Sequence, residues 1–194
     1  MSKKSGRLPR LFEKEKLREW TDIEIIHNKE IKMLDVSTAP AKELLAMAVK
    51  AEIDANQSYS GIARRLSNPL LKEKFQWLAF QENKHREILE KLYAAKHPGE
   101  EIQLPDKVDK DLLPAIDISP SSSLTDILFQ AMESEKSAEN FYAEIAKRVD
   151  ETQKKVLEYL SKVEHSHYVM LKSEYALAQD FEDYAEKEID KVIT

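Results

Sequence analysis

The sequence predicts an all-α protein in which four long helices form a bundle of two hairpins joined by a long crossover. Three observations support this fold class. The 194 residues include only 3 Gly, and the helix-favouring residues Ala, Leu, Glu and Lys are abundant. Prolines and capping residues divide the chain into long segments. Within each segment, apolar residues recur every three or four positions, as they do in helices that pack against neighbours.

Prolines and capping residues set the bounds of the predicted helices. Pro40 follows hydroxyl residues that can cap a helix, and Pro69 stands where a first-turn proline is favoured. Ser123 is followed three residues later by Asp126, which is the spacing of a capping box. The four helices are predicted at residues 38–66, 69–96, 123–149 and 151–185.

The connector between the second and third helices, residues 97–122, is long enough to run the full height of the bundle. A helix of about 28 residues measures roughly 42 Å. A fully extended chain of the connector's length reaches about 85 Å. We therefore predict one bundle domain at residues 37–194, preceded by a partly helical N-terminal extension at residues 1–36.

Each predicted helix has an apolar seam that is interrupted near its middle by acidic or imidazole side chains. The first and third helices carry one glutamate each, Glu52 and Glu135. The second and fourth helices each carry a Glu-x-x-His pair, whose members lie three residues apart and therefore on one helix face. These pairs are Glu82 with His85 and Glu164 with His167.

The two halves of the chain repeat this pattern. The segment EIDANQSY at residues 52–59 is echoed by EKSAENFY at residues 135–142. The segment WLAFQENKH at residues 77–85 is echoed by YLSKVEHSH at residues 159–167. The sequence therefore encodes a helical hairpin twice, and each copy supplies the same three polar residues to its seams.

Carboxylates at seam positions need compensation. Burying an isolated ionised carboxylate is costly even after the protein relaxes, and none of the seam positions carries Lys or Arg. Protonation of the four glutamates is one remedy. Two divalent cations are another, because their charge balances four carboxylates while both histidines coordinate as neutral ligands. Six oxygen and nitrogen donors without sulfur suit Fe, Mn or Zn.

With this donor set, the chain resembles the rubrerythrin branch of the ferritin-like superfamily over roughly residues 39–178, which implies a ferritin-like four-helix bundle. The resemblance implies that six residues bind two metal ions and act catalytically through them: Glu52, Glu82, His85, Glu135, Glu164 and His167. It also implies that Glu52 and Glu135 bridge the metals. Tyr59 and Tyr142 match family tyrosines that orient ligands, with Tyr59 donating to Glu135 and Tyr142 donating to Glu52.

The resemblance further implies a dinuclear non-haem metal oxidoreductase, with two iron ions, that reduces hydrogen peroxide or dioxygen. The chain has no Cys and so lacks the Cys-ligated iron domain of full rubrerythrins. A separate donor, such as a rubredoxin-type protein, is therefore expected to supply electrons. Many relatives carry a further glutamate at the position of Ala138, which makes metal binding a firmer expectation than peroxidase activity. Ferroxidase or iron-handling activity, a manganese or mixed-metal site, and a purely structural bundle are the alternatives.

Composition limits the partners. A net charge of −6 and a pI near 5.5 argue against nucleic acid, whose binders usually carry a basic patch. No apolar run approaches the roughly 20 residues that a membrane span needs, and the N-terminus lacks the apolar core of a signal peptide. We therefore expect a cytoplasmic protein without nucleic-acid or membrane partners, assembled as a homodimer or higher homo-oligomer.

Three residues near the six predicted ligands are expected to have other roles. His165 lies about 100° around the helix from Glu164, so we expect it at the surface. Glu139 stands one turn beyond Glu135, and we expect a solvated charge rather than a further ligand. Trp77 could relay electrons, but a packing role is expected.

Overall fold

The computed structural model describes residues 38–193 apart from positions 109, 111, 120 and 121, with side chains as far as Phe181. The described residues all belong to one compact unit, Met33–Thr194. The predicted N-terminal extension at residues 1–36 lies outside the described residues. The predicted domain division at residue 36 therefore stays a prediction.

The described residues form four helices and no strand, which confirms the all-α, ferritin-like prediction. The helices pack most closely within two hairpins, α1 with α2 and α3 with α4. An ion pair between Lys74 and Glu174 joins α2 to α4 across the two hairpins. The helices span α1 at Ala41–Arg65, α2 at Pro69–Lys96, α3 at Leu124–Ala146 and α4 at Glu151–Ile193.

Local capping explains where the helices begin. Helix α1 starts at Ala41, three residues later than predicted, because Pro40 has an extended ψ of 137° and no side chain caps this end. Asn68 caps α2 by accepting from two backbone N–H groups. Ser123 and Asp126 form the predicted capping box of α3. The backbone N–H groups that follow Asp150 donate to its carboxylate and so fix the start of α4.

Three helices end at residues other than the predicted ones, and α1 differs least, ending at Arg65 rather than at residue 66. Helix α3 ends at Ala146 rather than at residue 149, because Lys147 and Arg148 donate to carbonyls only three residues back and so tighten the last turn. Helix α4 continues to Ile193, beyond the predicted residue 185. Among the described helices, none has an apolar stretch long enough to cross a bilayer.

Two apolar clusters fill the bundle, one on each side of a polar layer. Along α1, Glu52 lies between Val49 of the first cluster and Tyr59 of the second. Along α4, which passes the clusters in the same order as α1, Glu164 lies between Leu160 of the first cluster and Leu171 of the second. The first cluster includes Leu44, Leu89, Phe141, Ile145 and Leu157; the second includes Ile62, Phe75, Leu78, Leu128 and Leu171.

The crossover passes from one apolar cluster to the other. Leu112 and Leu113 are buried in the first cluster, and Ile116 and Ile118 pack against the second. The connector therefore runs along the bundle and crosses the level of the polar layer, as its length predicts. The crossover therefore covers the carboxylates on the side formed by α1 and α3.

Candidate metal centre

All six predicted ligands point into the polar layer of the bundle. Each has at most 3% of its surface exposed, and four separate helices supply them. The helical repeat places each side chain on the core face, and the two apolar clusters close the layer above and below. The six residues are Glu52, Glu82, His85, Glu135, Glu164 and His167.

The donor atoms form two overlapping groups, each able to hold one metal ion. In each group, four donor atoms lie within 4.8 Å of one another. The groups share Glu82 and Glu164, the acidic members of the two Glu-x-x-His pairs. One group is completed by Glu52 and His85, and the other by Glu135 and His167.

Distances to the histidines show why Glu82 and Glu164 are shared. Glu164 reaches Nδ1 of His85 at 2.8 Å with Oε1 and Nδ1 of His167 at 3.0 Å with Oε2. Glu82 reaches the same two nitrogen atoms at 3.2 Å and 3.6 Å. The two imidazole rings lie nearly parallel, with centroids 5.5 Å apart. Each shared carboxylate thus spans both groups.

The other two glutamates each approach one histidine. Oε2 of Glu52 is 3.8 Å from Nδ1 of His85, and Oε2 of Glu135 is 3.4 Å from Nδ1 of His167. The family resemblance implied that Glu52 and Glu135 bridge the metals. The geometry instead places Glu82 and Glu164 between the two groups, because α2 and α4 bring their Glu-x-x-His pairs face to face.

Two buried tyrosines hold the outer glutamates from the opposite hairpin. The Tyr59 hydroxyl donates to Oε1 of Glu135, and the Tyr142 hydroxyl donates to Oε1 of Glu52. Both tyrosines are only 1% exposed. These are the crosswise hydrogen bonds expected from the sequence. Each leaves Oε2 of its glutamate free to face the histidine, so the tyrosines fix which oxygen points into the cluster.

Burial and mutual repulsion raise the pKa values of three of the four glutamates. Burial, with repulsion from neighbouring carboxylates, raises the pKa values of Glu52 and Glu82 well above the usual range. Burial also raises the pKa of Glu135 to about 7, although a hydrogen bond from His167 opposes it. Three acidic groups therefore hold their protons more tightly than they would in water.

Glu164 behaves in the opposite way because both histidines contact it. Burial alone would raise its pKa, but hydrogen bonds from His167 and His85 outweigh burial and lower the pKa to about 2. Burial would likewise lower the pKa of His167, yet Glu135 and Glu164 raise it to about 10. Without metal, the cluster is thus organised around one ionised carboxylate between two imidazoles.

The residues fit a pair of divalent cations. Oε1 of Glu82 is buried without a hydrogen-bond partner, which native proteins seldom allow. Six oxygen and nitrogen donors surround the positions between the histidines, and no sulfur is among them. Such a set suits Fe, Mn or Zn. Two divalent cations would also neutralise the four carboxylates.

The three neighbouring residues have distinct surroundings. Glu139 accepts from Lys136 at 2.9 Å and lies 3.1 Å from Nδ1 of the exposed His165, so neither Glu139 nor His165 joins the cluster. Trp77 is 45% exposed, and its ring meets His167 edge-on with centroids 5.2 Å apart. Sequence reasoning missed this contact, because it runs between helices.

Sequence reasoning also missed a cavity beside the cluster. It has a volume of about 520 Å³ and lies between α1, α3 and the crossover. Glu52, Glu82 and Glu135 form its inner end. Ala55 and Ala138, each three residues after a seam glutamate, line its walls. Small residues at these two matching positions were the one sequence feature that could have indicated the space.

A four-helix bundle that buries four glutamates and two histidines in its middle defines a ferritin-like carboxylate protein with a candidate two-metal site. The family model for Rubrerythrin matches residues 43–175, and the chain belongs to the rubrerythrin family. It is similar to the solved structure of a hypothetical protein from Pyrococcus furiosus, at 33% identity and a TM-score of 0.68. That match covers 78% of this chain and 96% of the other. No curated protein matches the chain.

Proposed function

We propose that the protein is a dinuclear iron oxidoreductase that reduces hydrogen peroxide or dioxygen with electrons from a separate donor protein. One observation carries the proposal: six buried donors from four helices form two groups that share Glu82 and Glu164. Manganese or a mixed pair of metals uses the same donor set. The reaction with peroxide takes two electrons and two protons and yields two molecules of water.

The chain's own residues have separable tasks in this reaction. Glu82 and Glu164 would contribute to both metal positions, and His85 and His167 to one each. Bound metals supply Lewis acidity and one-electron redox steps. Tyr59 donates to Oε1 of Glu135 and so keeps Oε2 of Glu135 directed at the cluster. Tyr142 does the same for Glu52. Orientation by outer hydrogen bonds of this kind tunes ligand basicity.

Oxidant and electrons reach the site by different routes. The cavity lined by Glu52, Glu82 and Glu135 would admit peroxide or dioxygen to the cluster. The chain has no Cys to hold its own iron–sulfur centre. A rubredoxin-type donor is therefore part of the proposal. A homodimer or higher homo-oligomer is the expected assembly.

The test combines metal analysis with turnover. Protein purified without added metal is examined by elemental analysis and by anomalous diffraction at the Fe and Mn edges. We expect two metal ions per chain, one in each donor group. Peroxide-dependent NADH oxidation is then measured with rubredoxin and its reductase. Two bound metals without turnover would remove the enzymatic claim, and absence of stoichiometric metal would remove the whole proposal.

A further inference from the structure

The cavity beside the cluster connects the carboxylates to the crossover. Its inner end is formed by acidic side chains of the cluster, including Glu82, whose Oε1 is buried and unpartnered. Its outer wall is formed by the connector, through Val108, Leu113, Pro114 and Ile116. A molecule bound in this space would therefore touch the candidate metal centre at one end and the crossover at the other.

The cavity is far larger than the proposed oxidants need. A water molecule takes about 30 Å³ in the liquid, and dioxygen and hydrogen peroxide are only slightly larger. The volume of about 520 Å³ instead falls within the range of roughly 300–1,000 Å³ typical of sites for small organic molecules. Access for peroxide alone does not explain a space of this size.

The repeat itself keeps the space open. On α1, Ala51, Ala55 and Ser58 line the cavity, and on α3, Ser134 and Ala138 do so. Larger side chains such as Leu45 and Phe141 fill much of the bundle beyond this layer, although Ala48 and Ala131 are also buried there. Small residues thus line the cavity on one helix of each hairpin.

The walls and the rim differ in chemistry. The walls next to the cluster are formed largely by alanines and by the apolar connector residues. Two exposed lysines of the crossover, Lys107 and Lys110, lie at the outer side beside one exposed aspartate, Asp106. Lys50 is already paired with Asp54, so the rim keeps a net positive charge. Such a site favours a ligand with an apolar body and an anionic head.

We propose that this cavity binds an organic anion whose apolar body lies between α1 and α3 against the carboxylate–histidine cluster, with its carboxylate-type head at Lys107 and Lys110. The proposal rests on the proposed function only in that it places the ligand beside the metal positions. Binding itself requires no turnover and can be measured independently of it.

Titration of the full-length, metal-loaded protein with decanoate and with decan-1-ol tests the proposal. Calorimetry gives the affinity, and amide chemical shifts locate the probe. We expect saturable decanoate binding with shifts at Ala55, Val108 and Ala138. Decan-1-ol should bind about threefold more weakly, because an exposed ion pair contributes at most about 1 kcal/mol. A double variant, Lys107→Gln with Lys110→Gln, should remove that difference.

Two variants fill the cavity from different sides. Ala138→Leu fills it from α3, and overpacking of this kind should weaken decanoate binding about tenfold or more. Ala115→Trp fills it from the exposed connector, where folding is not at risk. Ala143→Leu, on α3 but outside the cavity lining, is the matched control and should bind like the wild type.

The outcomes separate this proposal from the proposed function. Absence of saturable decanoate binding, or equal binding by wild type and by both cavity-filling variants, would overturn the cavity proposal even if peroxide turnover is observed. Decanoate binding that Ala138→Leu and Ala115→Trp both abolish would support the proposal even if peroxide turnover is absent.

Discussion

The two hairpins bring the same residue types to the cluster, yet they hold them in different electrostatic states. In the α3/α4 hairpin, Glu164 lies 2.8 and 3.0 Å from the two histidines and has a lowered pKa. In the α1/α2 hairpin, the matching Glu82 lies 3.2 and 3.6 Å from them and has a raised pKa. A repeated sequence therefore does not produce two equivalent halves. Hydrogen bonds from both histidines lower the pKa of Glu164, whereas burial and neighbouring carboxylates raise the pKa of Glu82.

The aromatic residues that precede the two Glu-x-x-His pairs also differ in their contacts and exposure. Trp77 in α2 meets His167 edge-on and is 45% exposed, whereas Tyr159, at the matching position of the repeat, is 58% exposed. Trp77 therefore extends from His167 to the protein surface. The comparison teaches that the repeat fixes which residues enter the layer, while interhelical packing makes the two sides distinct.

The largest expected effect is the change in stability of the metal-free protein with pH, because the contributions of several titrating groups add. Glu52, Glu82 and Glu135 keep protons that the unfolded chain releases above about pH 4.5, so stability falls as pH rises from there. His167 keeps its proton up to about pH 10 and so adds to the loss above about pH 6.5. Glu164 has the opposite sign and destabilises the fold only below about pH 4.5.

Calorimetry between pH 5 and 9 checks this expectation. The melting temperature of the metal-free protein should fall steadily as pH rises. The metal-loaded protein should show a flatter profile, because bound cations replace the protons, and metal affinity should increase with pH. A metal-free profile that rises across this range would contradict the assignment of protons to the cluster.

Substitution of one shared glutamate at a time tests the difference between the hairpins directly. Glu164→Gln leaves two imidazoles without their closest carboxylate, and loss of a buried ionic partner should cost about 3–5 kcal/mol of unfolding free energy. Glu82→Gln should cost far less in the metal-free protein, because burial and neighbouring carboxylates raise the pKa of Glu82 and so disfavour its charged form. Urea unfolding at pH 7 measures both, and equal losses would show that the two carboxylates are equivalent.

The crosswise tyrosines provide a smaller and pH-dependent comparison. Tyr142→Phe removes a hydrogen bond to Glu52, whose pKa burial raises well above the usual range, and should cost about 0.5–1.5 kcal/mol. Tyr59→Phe removes one to Glu135, which ionises near pH 7, so its cost should rise to about 1.5–3 kcal/mol above that pH. Unfolding of both metal-free variants at pH 6 and pH 8 measures the difference. An identical pH response of the two variants would contradict it.

The smallest expected effect is a change in tryptophan fluorescence when a metal ion binds. In a Trp20→Phe background, Trp77 is the remaining tryptophan, and a redox-active ion such as Co²⁺ at His167 should quench its emission strongly. A second protein combines Trp20→Phe, Trp77→Phe and Tyr159→Trp and should show weaker quenching from the other side. Zn²⁺ serves as the non-quenching control. Unchanged Trp77 emission with two bound Co²⁺ ions would contradict the contact between Trp77 and the metal ligand His167.

Much of the site could be predicted from local rules. The three-residue spacing of Glu82 and His85 places both on one face of any helix, and the seam around them is apolar wherever the chain folds as a bundle. The hydroxyl–carboxylate bonds of Tyr59 and Tyr142 followed from the family pattern. Helix bounds differed where backbone geometry decided a terminal turn, as at Pro40 and Lys147, and where α4 continued beyond residue 185.

The sequence by itself determined the four helices, the buried position of the six donors and the excess of acidic groups that calls for cations. These properties depend on periodicity and composition, which act within one segment. Only the tertiary structure decided that Glu82 and Glu164 are shared, that Glu164 alone is strongly acidic, and that a cavity opens beneath the crossover. Those features depend on distances between helices, which hairpin packing and the path of the connector set.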